Sequence, residues 1–225
     1  FNVFNPALVG RAFIQAAFPV SITTWTPALA TNRFIEFIPS SLAIPFMKPA
    51  ATAQWTAQVS IDGFSGATPL ALMKFQGIMT DATDLFLGLS AGSTGETSAL
   101  LILLCGAYLV YKKMLDWRIP AAVILGTVIS AECFYLLDAT KYPSPAFMVF
   151  SGGLMFAAVF MASDMVASPV TPMGILVFGL LVGFLTVIIR LFGGLTEAVM
   201  YAILFGNAAT PLIESYTQPR IYGGK

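Results

Sequence analysis

From Gly95 onward the chain is dominated by five apolar runs joined by short connections, at about Gly95–Tyr111, Ile119–Leu137, Phe147–Ala162, Gly174–Phe192 and Ala198–Ile213. Such runs suit bilayer-crossing helices, because about 20 apolar residues cover the hydrocarbon thickness. A helix also satisfies its backbone N–H and C=O groups within the segment, as lipid requires. A sixth apolar stretch ends near Val20, is short, and contains Arg11 and Pro19. It predicts a span entered part-way, or a broken helix. The fold expected is therefore an all-α polytopic membrane protein. It has about five full transmembrane helices and a partial or broken N-terminal helix. Only 10% of the 225 residues are charged, against about 25% in soluble domains.

Three regions follow from this pattern: 1–20, the partial helix; 21–94, an extracytoplasmic excursion; and 95–225, a five-helix bundle with a short cytoplasmic tail. In the excursion Trp25 and Trp55 suit the headgroup level, and Phe34–Phe46 could form a short interfacial helix. Gly152–Gly153, Gly179 with Gly183, and Gly193–Gly194 mark close helix contacts or breaks. Lys112, Lys113 and Arg118 crowd one connection, and Arg220 and Lys225 sit in the tail on the same face. The positive-inside rule makes that face cytoplasmic and puts Thr68, one span earlier, outside. Arg33, Lys48 and Lys74 fall on the outer face as well and weaken the bias. The chain starts at Phe1 directly before a motif, so an N-terminal part is expected to precede it.

Net charge is zero and histidine is absent. A nucleic-acid partner is unsupported, and a histidine base or histidine-ligated metal is excluded within this chain. Cys105 and Cys133 lie in apolar runs and read as small, reduced core residues.

The stretch Asp62-Gly63-Phe64-Ser65-Gly66-Ala67-Thr68-Pro69 is the place for chemistry. Small residues free the backbone, and Pro69 suits the first position of a helix. Thr68 is then the N-cap of a helix from Pro69 to about Gln76. Free N–H groups and the helix dipole at that end favour a phosphate. Thr68 thus has two readings, a cap and an attachment point. Other polar residues are equally open. Asn2 and Asn5 can cap a helix starting at Pro6 or line a ligand site. Asp62 can form a turn before Gly63. Glu96 can sit on a helix dipole or meet a travelling cation. Glu132, a lone carboxylate in an apolar run, belongs to an ion path or lies near the interface. Asp164 suits a cofactor site or a cap, and Arg190 and Glu197 could pair.

Asp-x-x-Ser/Thr-Gly-Ala-Thr is the pattern at which a flavin transferase esterifies the phosphate of FMN to the last threonine. Further motifs agree in order: Gly92-Ser93-Thr94-Gly95-Glu96-Thr97-Ser98, Asp116-Trp117-Arg118-Ile119-Pro120, Ser151-Gly152-Gly153, Met161-Ala162-Ser163-Asp164, Ser168-Pro169-Val170-Thr171-Pro172 and Ile189-Arg190-Leu191-Phe192-Gly193-Gly194. With these the chain resembles the membrane flavoprotein subunits of the Rnf and sodium-pumping NADH:quinone oxidoreductase complexes. Asn207-Ala208-Ala209-Thr210-Pro211-Leu212-Ile213 and Tyr216-Thr217-Gln218-Pro219-Arg220 lean toward the Rnf D branch. The longer basic tail usual in the quinone-reductase B branch is missing.

The resemblance implies FMN held as a phosphoester on Thr68, within a complex passing electrons between ferredoxin and NAD. Electron flow there is coupled to movement of sodium ions or protons. It implies Ser65, Gly66 and Asp62 as neighbours of the flavin, with Asp62 serving the transferase. It also implies a non-covalent riboflavin near the Asn-x-x-Asn-Pro motif, matched by Asn2 and Asn5. Implied partners are the other Rnf subunits, including a second FMN-bearing one, and lipid of the bacterial cytoplasmic (inner) membrane. No NAD or ferredoxin site is visible: Gly-x-Gly-x-x-Gly and clustered cysteines are absent, so the chain holds no complete active site alone. A non-redox membrane transporter, where broken helices and intramembrane carboxylates also occur, is the rival reading.

Overall fold

A computed structural model of the chain describes residues 3–17, 68–90, 92, 97–139, 141–194 and 197–219. All regular secondary structure among the described residues is helical, with no strand among them. In chain order the helices are α1 (Pro6–Ala17), α2 (Pro69–Gln76), α3 (Ala82–Leu87), α4 (Ala99–Tyr111), α5 (Arg118–Leu137), α6 (Pro145–Phe150), α7 (Leu154–Phe156), a π-helical turn (Ala157–Met161), α8 (Pro172–Phe192) and α9 (Val199–Thr217).

Local chemistry sets many of these starts. A hydroxyl residue followed by proline opens three helices: Thr68-Pro69, Ser144-Pro145 and Thr171-Pro172. Each hydroxyl accepts a hydrogen bond from an otherwise unpaired first-turn N–H, Thr171 from Gly174 at 3.1 Å, while proline has no N–H to leave unpaired. Ser98 caps α4 in the same way, accepting from Leu101. Gly77 and Gly88 end α2 and α3 in the left-handed conformation.

Helices α5 and α8 are long and apolar enough to cross a membrane. They pack side by side along a seam of glycines. A Cβ on Gly183 would lie 2.5 Å from Thr127 N and Val123 O, one on Gly126 would lie 2.8 Å from Leu180 Cα, and one on Gly179 would strike Ala122. The contact positions rise together along both helices, so α5 and α8 run parallel. The return between them is the expected third span, and here the structure corrects the sequence reading: Phe147–Ala162 is not one continuous helix. Ser151 is extended, Gly152 has φ +61°, and the chain re-enters a helix at Leu154 before loosening into a π-turn. The first expected span is also shorter than a full crossing, since α4 has 13 residues, about 20 Å at 1.5 Å per residue. Helix α9 runs on past the expected end at Ile213 to Thr217 and carries Pro211 inside it.

Leu8, Val123, Leu154, Met155, Phe178, Val182 and Ile203 form the centre of the core. The outward faces are apolar too: Leu104 is 59% exposed, Ile129 56% and Phe205 59%. Apolar surface on that scale belongs against lipid or a membrane partner. Cys105 and Cys133 are free thiols on these outward faces, not core residues.

Enlarging the seam must separate two backbones, at a cost of about 1–3 kcal/mol for a single overpacked site. Gly183→Ala is expected to lower the thermal midpoint of the detergent-purified protein. Gly10→Ala, on an open face of α1 where a Cβ meets nothing within 4 Å, is expected to hold or raise it. Differential scanning fluorimetry of the two variants checks both.

Candidate functional site

Thr68 caps α2 as its sequence predicts. Its Oγ1 accepts from Ala71 N at 3.3 Å, and its carbonyl accepts from Leu72 N at 2.9 Å. The residue is only 5% exposed. It lines a cavity of about 10 Å³ with Pro69, Ser90, Gly92, Thr97, Phe150 and Gly152. That is room for about one water. Gly152 stands between this cavity and the end of α8: a Cβ there would meet Leu70 Cδ1 at 2.6 Å and Arg190 Nη2 at 3.4 Å. A left-handed, side-chain-free residue is therefore required at the point where the return segment passes α2.

Arg190, 2% exposed, anchors this region. Its Nη1 donates to Met148 O at 2.5 Å and its Nη2 to Ser151 O at 3.0 Å. These carbonyls lie at and just before the break, where helical partners are lost. Lys74 of α2 donates to Arg190 O at 3.3 Å and to Gly193 O, so an ammonium caps the negative end of α8. Burial holds the Lys74 pKa below its usual value. Leu70, Leu85 and Phe147 then bury the apolar sides of α2 and α3 against α6. Glu197 forms an ion pair with Arg11 of α1 at 2.7 Å.

A second polar cluster lies at the opposite end of the bundle. Asn5 caps α1, its Oδ1 accepting from Ala7 N at 3.0 Å. Asp164 Oδ1 accepts from Val166 N at 3.2 Å, and its carbonyl from Ser168 N, which forms the turn after the π-segment. The structure thus puts Asp164 far from Thr68 and near Val3. A cavity of about 200 Å³ there is lined by Val3, Ser168, Asn207, Thr210 and Glu214, among others. Asn207 is 2% exposed, and its Nδ2 donates to no described atom. Thr210 bonds Ala167 O at 3.1 Å and ties α9 to the loop. Glu132 sits on the exposed face of α5, beside Ile129 and Leu136. Asn2, Asp62, Ser65, Gly66 and Glu96 lie outside the described residues. No group of three or more potential metal ligands occurs among the described residues.

Sequence reasoning missed Lys74 and Arg190 as the side chains that tie α2, the break and the end of α8 together. Their partners are backbone carbonyls distant in the chain, and no residue pattern signals them.

The profile of the NQR2, RnfD, RnfE family matches residues 1–223. The chain belongs to this family. Its relatives include the D subunit of the proton-translocating ferredoxin:NAD(+) oxidoreductase complex of Clostridium ljungdahlii, 38% identical over 99% of this chain and 62% of the relative. The D subunit of the ion-translocating oxidoreductase complex of Alcanivorax borkumensis is 36% identical over 100% of this chain and 64% of its own. That of Halorhodospira halophila is 36% identical over 99% and 63%. The chain therefore spans a little under two thirds of the length of these relatives. Family membership accords with the apolar outer faces and makes this a membrane protein of a redox-complex family.

Two outcomes are expected at this end. Arg190→Gln strips the break of its bidentate donor and leaves buried carbonyls unpaired, at about 1–3 kcal/mol for each buried group; chemical denaturation reads the loss. Because the Lys74 pKa is lowered on folding, the unfolded chain holds the proton at pH values where the folded chain has released it. Stability from this group therefore rises with pH between the folded value and 10.5. Lys74→Met is expected to remove that slope from the pH dependence of the thermal midpoint.

Proposed function

We propose that this chain is a redox subunit of an Rnf-type complex, carrying FMN as a phosphoester on Thr68. The observation that carries the reading is the attachment pattern Asp62–Thr68 ending on a threonine that caps a helix. A phosphate joined to Oγ1 would meet the first-turn N–H groups of α2, with the Arg190 guanidinium just behind Gly152. The link leaves the isoalloxazine ring unchanged, so it anchors the cofactor and neighbouring groups tune its potential. The small cavity beside Thr68 takes at most part of the phosphate, and the ring lies outside it.

The complex would pass electrons between ferredoxin and NAD and move sodium ions or protons across the bacterial inner membrane. The other Rnf subunits, including a second FMN-bearing one, would be its partners, and a flavin transferase would mature it. Ser65, Gly66 and Asp62 belong to the attachment site. A second flavin, riboflavin, is what the Asn-x-x-Asn-Pro motif matched by Asn2 and Asn5 would hold; Asn5 lies at the opposite end. Five crossings, with Thr68 outside and the Lys112–Arg118 turn inside, are the topology we adopt. The B subunit of a sodium-pumping quinone reductase is the related alternative within the family. The exposed carboxylate of Glu132 is the feature that favours a transporter-like ion path, with Glu96 as its second member.

In-gel flavin fluorescence of the denatured chain tests the proposal, with the transferase co-expressed. Wild type is expected to fluoresce, and Thr68→Val to be dark. Removing the cap also costs about 1 kcal/mol. Thr68→Asn keeps a capping side chain but offers no hydroxyl, so it should be folded and dark. A dark wild type, or a fluorescent Thr68→Asn, would overturn the assignment.

A further inference from the structure

At the end of the bundle away from Thr68, the turn between α4 and α5 borders an open groove of about 560 Å³. Ile119 and Ile175, first-turn residues of the two membrane-length helices, line it. The groove therefore opens at the level where both spans begin. Its rim is unusually apolar: Trp117 is 59% exposed, Met165 88% and Val170 80%. Tyr108 and Tyr111 stand nearby on α4, which gives this level the tyrosine and tryptophan of a headgroup belt.

Charge surrounds the same opening. Lys113 and Asp116 line the groove, and Lys112 and Arg118 belong to the same turn. Lys112 Nζ lies 5.8 Å from the Tyr108 ring centre and 6.0 Å from that of Tyr111, which keeps the ammonium at the ring level. Lys113 adopts φ +58°, a conformation uncommon outside glycine and asparagine, and its N–H bonds Val110 O at 2.9 Å. The turn thus holds Lys113 at the mouth of the groove, with Lys112 beside it in the chain. Asp116 is the acid of this turn, and its Oδ1 already accepts from Arg118 N at 3.0 Å. The turn is net cationic, with three bases against one acid between Tyr108 and Pro120, while the facing lip carries Asp164, between the lining residues Ser163 and Met165, and Glu214, which accepts from Val170 N at 3.1 Å.

We propose that this groove is a binding site for an anionic phospholipid. The phosphate would sit among Lys112, Lys113 and Arg118, and an acyl chain would run past Trp117 and Ile119 toward the outer faces of the bundle. Three features select lipid over a soluble ligand: the level of the groove, its aromatic edge and its continuity with the exposed apolar faces of the bundle. The excess positive charge of the α4–α5 turn selects an anionic headgroup over a zwitterionic one. The inference is independent of any flavin at Thr68.

Native mass spectrometry of the intact detergent-purified protein, titrated with phosphatidylglycerol or phosphatidylcholine, tests it. Wild type should retain phosphatidylglycerol in preference to phosphatidylcholine. Each lysine removed should weaken phosphatidylglycerol retention about fivefold. Lys112→Gln with Lys113→Gln should therefore abolish most of the preference, while the same pair changed to arginine should keep it. The arginine pair separates loss of charge from damage to the turn. Lys141→Gln, beyond the other end of α5, should bind as wild type does. Trp117→Ala should weaken both lipids alike. Equal retention of the two lipids by wild type would overturn the proposal. So would an unchanged preference in the glutamine pair, or an effect of Lys141→Gln as large as theirs.

Discussion

The close approach of α5 and α8 is the contact on which the remaining architecture rests. Backbone meets backbone where Gly126, Gly179 and Gly183 leave no side chain between them. Lipid offers no hydrophobic reward for bringing apolar helices together, so dense packing and short backbone distances must hold them. Because the two helices run parallel, the chain has to return the full length of the bundle between them. The broken segment from Pro145 to Met161 makes that return. Its break is a consequence of the route: the path bends at Ser151–Gly153, where Leu70 and Arg190 leave room only for glycine.

One side chain then closes the end that carries Thr68. Arg190 holds the carbonyls of Met148 and Ser151, while its own carbonyl accepts from Lys74. The end of α8, the break and α2 are thereby tied at one point. Thr68 inherits its position from this knot, because α2 is anchored at its far end by Lys74 and along its side by Leu70. The carbonyl dipoles of Met148 and Ser151 are among the groups that meet the buried cation.

Local chemistry was legible in the sequence, and long-range chemistry was not. Thr68-Pro69 specifies a cap and a first helical turn from neighbouring residues alone, and the helix runs over the expected Pro69–Gln76. Asn5 before Pro6 likewise caps α1. The glycine pair at 152–153 was visible as a break or a contact, yet the apolar run around it reads as one span, since hydropathy does not register a change of direction. The cysteines show the same limit: an apolar helix in lipid is apolar on all sides, so composition does not say which side is core. Asp164 follows the third apolar run, and Thr68 precedes the first. Counting spans already puts them on opposite faces, and the parallel pairing of α5 and α8 agrees. Asp62, Ser65, Gly66, Asn2 and Glu96 fall outside the described residues, so their expected roles rest on sequence alone.

The two ends of the bundle are separated by the 20 residues of α5, about 30 Å of helix. That matches the hydrocarbon thickness of a bilayer. A charge displaced from the Thr68 end to the Lys113 turn therefore traverses nearly the whole transmembrane field, worth about 2.3 kcal/mol per 100 mV for one electron. Movement of charge along this axis is an electrical event as much as a chemical one. Its equilibrium would follow the voltage of the membrane even with every midpoint potential held fixed.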